Sequence, residues 1–259
     1  MDKKVNSGII NVKGLSIGKG KPVICVPVMV ADKEEIVKQI LDYAGRGMEM
    51  IEWRVDAFSE VGNMDAIEDV LEKIKDSLEK TALVYTYRSK EQGGLGCEDA
   101  VTVKKIHITG AKSEVVDFVD LEYFATNKPE SEIKEIQSYG TYVITSHHDF
   151  DETPESDVIS ILLDKMNDSG SDIVKLAVMP KDIDDVLTIL KQTSDFVKRH
   201  PDKPIITMSM GKTGSISRIA GQYFGSCVTF GSAEASSAPG QVPYKDLSVI
   251  LDTIDENLK

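Results

Sequence analysis

Residues 172–180, DIVKLAVMP, decide the fold. Apolar side chains fall on both parities of this stretch (Ile173, Val174, Leu176, Ala177, Val178, Met179), the pattern of a parallel strand covered on both faces. Lys175 sits in the middle with no wet face to point into. An ammonium stripped of water needs a carboxylate partner, an escape past the strand end, or the loss of its proton. In the last state it is an amine nucleophile able to form a Schiff base with a carbonyl. A structural ion pair is the alternative reading of the same residue.

Outward from this strand the chain repeats strand, then helix. Strands are expected at 23–30, 48–58, 82–88, 115–124, 141–148, 172–179, 204–210 and 227–232, and helices at 33–46, 64–79, 98–111, 130–138, 154–168, 182–199, 214–224 and 244–257. Asp182 ahead of Ile183, Val186, Leu187 and Leu190 is a helix start signal, as is Pro154 at a first helical position. Eight such units in 259 residues match the ~250 residues of an α/β (β/α)8 TIM barrel. A dinucleotide fold would need G-x-G-x-x-G after the first strand, where the chain reads PVMVADKEE. Residues 8–22, with Gly14, Gly18 and Gly20, read as an N-terminal β-hairpin covering one end of the core. The expectation is one domain, with the hairpin in 1–22 and the barrel in 23–259.

Composition narrows the partners. A net charge of −13 argues against nucleic acid or an anionic membrane, since phosphate binding needs clustered Lys and Arg. No apolar run approaches the ~18 residues of a membrane span, and the N-terminus lacks the apolar core of a signal peptide, so a cytoplasmic protein is expected. Cys25, Cys97 and Cys227 are odd in number and widely spaced, which suggests neither a disulfide framework nor a zinc site. An anionic substrate would have to be met by arginines placed in the site itself.

Parity within the strands shows where such groups gather. In IEWRVD (51–56), Glu52 and Arg54 share a face opposite Trp53; in ALVYTYR (82–88), Arg88 shares one with Val84 and Thr86. Asp120 and Glu122 lie together with Phe118, and Met208 and Met210 with Ile206. Charged residues inside barrel strands belong at the C-terminal mouth, where sites lie; for Asp120 and Glu122 a structural ion-pair network is an equal reading. His147 and His148 point oppositely, so at most one faces the pocket, where it would be a natural general acid or base. No His-x-x-x-His or two-His-one-carboxylate spacing supports a metal. Gly211-Lys212-Thr213 imitates a P-loop, but the required glycine at 206 is Ile206. The loop 233–244 is either a connector or a lid.

Taken together, IEWRVD (51–56), YRS (87–89), HDF (148–150), VKLAVMP (174–180), ITMSMGKTG (206–214), SRIAGQYFGS (217–226), TFG (229–231) and SAPGQ (237–241) resemble the type I 3-dehydroquinate dehydratase family. The resemblance covers nearly the whole chain from Val23 onward. It implies a (β/α)8 barrel, commonly a homodimer, that takes the small molecule 3-dehydroquinate and needs no metal or organic cofactor. It implies Lys175 as the Schiff-base lysine and His148 as the proton-transfer residue. Substrate contacts are implied for Glu52, Trp53, Arg54, Arg88, Arg218, Ser237 and Gln241, with Met208, Met210, Phe230 and Gln92 lining the pocket.

Two positions depart from the family pattern. Many members have glutamate where this chain has Gln92, with Glu91 one place earlier, so a carboxylate that would tune His148 is absent unless the loop shifts by one residue. Pro27 stands where some members have serine. Two rivals share the residue pattern: a class I aldolase-type Schiff-base barrel, and a sensor that binds the keto-acid without turning it over. Retention of both Lys175 and His148 counts against the sensor.

Overall fold

A computed structural model describes residues 8–18, 20–125, 129–233 and 240–258. The hairpin strands β1 (Ile10–Val12) and β2 (Leu15–Ile17) come first. Then follow β3 (Val23–Val28), α1 (Lys33–Gly45), β4 (Met50–Arg54), α2 (Met64–Ile74), β5 (Ala82–Thr86), α3 (Ala100–Lys112), β6 (Phe118–Glu122) and α4 (Pro129–Ser138). The second half continues with β7 (Tyr142–Asp149), α5 (Ser156–Asp168), β8 (Ile173–Val178), α6 (Ile183–Arg199), β9 (Ile205–Ser209), α7 (Ser215–Phe224), β10 (Val228–Phe230) and α8 (Tyr244–Leu258). Strands β3 to β10 pair in parallel in chain order, with β10 beside β3. This is the expected (β/α)8 barrel with an N-terminal hairpin.

The last seam closes through a side chain. Between β9 and β10 the backbone makes a bridge at Ile205 and Ser226, and Cys227 N–H donates to the Ile205 carbonyl at 2.9 Å. Thr207 N–H then meets the Ser226 hydroxyl oxygen at 3.1 Å, which stands in for a ladder carbonyl. Ser226→Ala would leave this buried N–H without an acceptor, so a loss of about 1–3 kcal/mol is expected. An unchanged melting temperature in that variant would show that the seam tolerates the gap.

Local chemistry accounts for the element ends. Asp182 caps α6 as expected, accepting from Asp184 N–H and Asp185 N–H. Helix α5 begins at Ser156, two residues beyond Pro154, because Glu152 and Thr153 are tied to the end of β8: Met179 N–H donates to the Glu152 carbonyl, and the Thr153 hydroxyl donates to the Met179 carbonyl. In the hairpin, Lys13 and Gly14 have φ of 48° and 85°, the two positive values of a tight type I′ turn. Ile10 and Ile17 are thereby buried against Met50, Ala82, Phe118 and Ile173 at the N-terminal end of the barrel. Each contributes about 1.5–3 kcal/mol by burial.

The barrel interior is therefore sorted by height. Its floor is apolar, with Phe118 and Tyr142 stacked at 5.4 Å, and only the C-terminal mouth is charged. No helix of the described residues is long and apolar enough to cross a membrane.

Candidate active site

Parallel register carries the inward parity from strand to strand. Pro27 pairs with Glu52, Arg54 with Thr86, Thr86 with Asp120, Glu122 with Ser146, and Ser146 with Lys175. Side chains from six strands thus converge at one level of the mouth. Glu52, Arg54, Arg88, Gln92, His148, Lys175, Met208, Met210, Arg218, Phe230 and Gln241 all open onto one cavity of about 810 Å³.

Lys175 is 3% exposed and ion-paired. Its Nζ donates to Asp120 Oδ2 at 2.9 Å, lies 3.7 Å from Glu52 Oε1, and sits 4.7 Å from the centre of the Phe230 ring. Asp120 is itself anchored: Arg88 donates to its other oxygen at 2.8 Å and the Ser146 hydroxyl does so at 2.5 Å. Burial opposes the charge on Asp120, but Arg88, Lys175, His148 and the Ser146 hydrogen bond outweigh it and hold the carboxyl far below the usual carboxylate range. The second Arg88 amino group reaches Glu122 and Ser146, each at 2.9 Å. The Arg88 guanidinium is thus committed to the mouth's own acids, while Arg54 spends its Nε and one of its two amino groups on Asp56, in two hydrogen bonds of 2.8 Å.

Arg218 is different. It is 7% exposed; among the described residues its buried Nε has no hydrogen-bond partner, and one of its amino groups meets the Met208 sulfur at 3.6 Å. Burial pushes its guanidinium below the usual arginine value. Among the described residues it forms no ion pair, so it is the cation of the mouth available to an anion.

His148 faces the cavity, in register with Ala177, and His147 points the other way. There His147 meets the Phe124 ring edge-on at 5.1 Å, beside a second cavity of about 570 Å³ that Gln92 and His148 also line. Burial, then repulsion from Arg88 and Lys175, push the His148 imidazole well below its usual value, against the pull of Asp120. Gln92 sets its tautomer. The His148 backbone N–H can only donate, and it meets Gln92 Oε1 at 2.8 Å, which fixes the amide orientation. His148 Nδ1, 3.3 Å from the same oxygen, must then carry a hydrogen, leaving the lone pair on Nε2. The loop does not shift: Gln92 is buried against His148 and Glu91 is exposed.

One expected contact is corrected. Trp53 does not reach the cavity; it is fully buried in the outer core, edge-on to Tyr85 at 5.4 Å and packed on Phe58, because it alternates with Glu52 and Arg54. Ser237 and Pro239 lie outside the described residues, while Gln241 lines the cavity. Gly240 has φ of +81°, and a Cβ there would fall 2.0 Å from the Gly211 carbonyl oxygen, so only glycine lets this loop end dock on the turn before α7. Ser146 and Asp56 were missed, although Ser146 shares the parity of His148 and Asp56 closes IEWRVD. Met29, Phe150 and Met179 also line the mouth. Among the described residues no group of three His, Cys, Asp or Glu side chains is placed to hold a metal ion.

A closed (β/α)8 barrel with titratable groups gathered at its C-terminal mouth is the construction of a barrel enzyme acting on a small molecule. The type I 3-dehydroquinase family model matches residues 24–258, and the chain belongs to that family. It is 39% identical over 254 residues to a 3-dehydroquinate dehydratase of Clostridium botulinum, covering 96% of this chain and 99% of that one. It is 35% identical over 252 residues to that of Bacillus subtilis, covering 97% and 99%. The fold superposes with a TM-score of 0.93 and 34% identity on a crystal structure of the Clostridium difficile type I enzyme with covalently modified comenic acid, covering 97% of this chain and 100% of that one.

Proposed function

We propose that the protein dehydrates 3-dehydroquinate to 3-dehydroshikimate in the shikimate pathway, through a Schiff base on Lys175. One observation carries this reading: a single cavity holds a buried lysine, fit to meet a ketone, and a buried arginine without an acidic partner among the described residues, fit to meet a carboxylate. The substrate is a cyclic polyhydroxy keto-acid that loses a proton beside the ketone and a hydroxyl one carbon further on. Lys175, once it has ceded its ammonium proton, adds to the ketone, and loss of water with return of that proton gives an iminium, which acidifies the neighbouring C–H. His148 removes that proton at Nε2, and the enamine expels the hydroxyl as His148 returns it. Arg218 holds the carboxylate; Gln241, with Ser237, Glu52 and Arg54, is assigned to the hydroxyls. A homodimer belongs to the same reading, and sedimentation equilibrium giving a single-chain mass would remove it.

The direct test adds 3-dehydroquinate and follows enone absorbance, with and without borohydride. Turnover without borohydride, and loss of activity with the ligand's mass added to the Lys175 peptide in its presence, are expected. Unmodified, still active protein after reduction would count decisively against the imine. Carbon–carbon cleavage in place of the enone would identify an aldolase-type enzyme.

Two smaller effects follow. Gln241→Ala should weaken substrate binding by about 1–3 kcal/mol, since a buried polar group of the ligand is left unpaired; an unaltered KM would reduce the 233–244 loop to a connector. Gln92→Glu sets a carboxylate beside Nδ1 and so stabilises the imidazolium. His148 would then become protonated at higher pH, and the acid limb of the kcat/KM profile should move upward. A limb that stays put or moves down would show that Gln92 does not tune His148.

A further inference from the structure

Lys175 is flanked by two carboxylates of unequal standing. Glu52 lies at 3.7 Å and already accepts the Thr86 hydroxyl at 2.9 Å. Asp120 lies at 2.9 Å, is fully buried, and is prevented from swinging away by Arg88 and Ser146, which both donate to its other oxygen. Ser146 is in register with Lys175, so β7 spans the distance between β6 and β8 with a hydroxyl. Such anchoring does nothing for a carboxylate meant to accept a proton, because every contact favours its anion. It suits a fixed negative charge whose partner changes chemically while remaining a cation.

On that basis, and resting on the Schiff-base reading above, we propose that Asp120 is the counterion of the protonated imine on Lys175 and keeps that imine protonated through the cycle. The charge balance supports it. An ammonium and a ketone give an iminium and water with no net proton released, so the nitrogen facing Asp120 is cationic before and after the C–N bond forms. When His148 takes the C–H proton, the positive charge moves from the nitrogen to the imidazole and the enamine is neutral. Loss of the hydroxyl, with the proton from His148, restores the iminium and releases water. Hydrolysis returns the ammonium and the ketone product. At each cationic stage the counterion already stands in place, and a neutral imine, a poor electron sink, is disfavoured.

The experiment uses sodium cyanoborohydride, which reduces a protonated iminium but not a neutral imine, with 3-dehydroquinate as ligand. The mass of the Lys175 peptide is read from mildly acidic to mildly alkaline pH. The wild-type protein should be trapped evenly across this range. In Asp120→Asn, trapping should decline as pH rises, its midpoint lowered by about 1–3 pH units, the effect of removing an opposite charge at this distance. Asp120→Glu should restore part of the wild-type profile, and Glu52→Gln should shift it less than Asp120→Asn does. Equal profiles for wild type and Asp120→Asn would overturn the assignment to Asp120 alone, as would a larger shift in Glu52→Gln. Absence of trapping in the wild type at every pH, with borohydride as well, would remove the Schiff-base reading itself. Where Asp120→Asn does not fold, the wild-type profile decides, and trapping that itself declines through neutrality overturns the proposal.

Discussion

Lys175→Met is expected to abolish both imine trapping and turnover, the latter by on the order of 10⁶-fold, the scale on which the loss of a covalent nucleophile is felt. Methionine nearly preserves volume and fills the space under Phe230, so the loss is chemical. Stability should fall too, because a buried carboxylate loses one of its cations. Removing one partner of a buried pair typically costs about 3–5 kcal/mol. Here Arg88 and Ser146 still hold Asp120, so the loss should stay below that range. Measured together, borohydride mass addition, turnover and melting temperature separate the two effects. A variant that folds and retains a tenth or more of wild-type turnover would end the covalent mechanism.

His148→Ala should behave in the opposite sense on one axis. The imine still forms, so borohydride still adds the ligand's mass at Lys175, while turnover drops by about 10²–10⁴-fold, as for loss of an acid or base. His147→Ala should matter far less, because β7 turns that ring to the outer side against Phe124. A reversal of the two effects would contradict the inward assignment of His148. The pH dependence carries a sign as well. The folded His148 is depressed below the ordinary imidazole value, chiefly by burial, so the neutral base survives as pH falls through the usual histidine range. Activity that depends on it is present above the depressed value and is lost only when pH falls through it. Wild-type kcat/KM should therefore hold into mildly acidic solution. An acid limb at or above the ordinary histidine value would show that the imidazole is not held neutral in the way its surroundings imply.

Much of this architecture was legible before any coordinates. Period-two alternation is a property of each strand by itself, so the sequence alone put Glu52 with Arg54 on one face, Arg88 with Val84 and Thr86, and Asp120 with Glu122, and sent His147 and His148 to opposite sides. Only the resemblance chose His148 and Lys175 for the chemistry. Alternation also assigned Trp53 to the face opposite Glu52 and Arg54, and the implied substrate contact for Trp53 fails on that same parity. Strand and helix order followed from local signals, with errors confined to ends such as Pro154, where the competing tie between Thr153 and Met179 is long-range.

Partner choice was not legible. Reading the strands could not say whether Lys175 would meet Asp120 or Glu52, that Arg88 would be committed to Asp120, Glu122 and Ser146, or that Arg218 would have no acid among the described residues. Nor could it say that Gln92, and not Glu91, would face His148. Parity is local and costs a whole face when broken, so the sequence determined which side chains share a face of each strand. Which of them touch depends on the stagger of neighbouring strands and on ångström-scale distances across the mouth, and those exist only once the eight strands have closed.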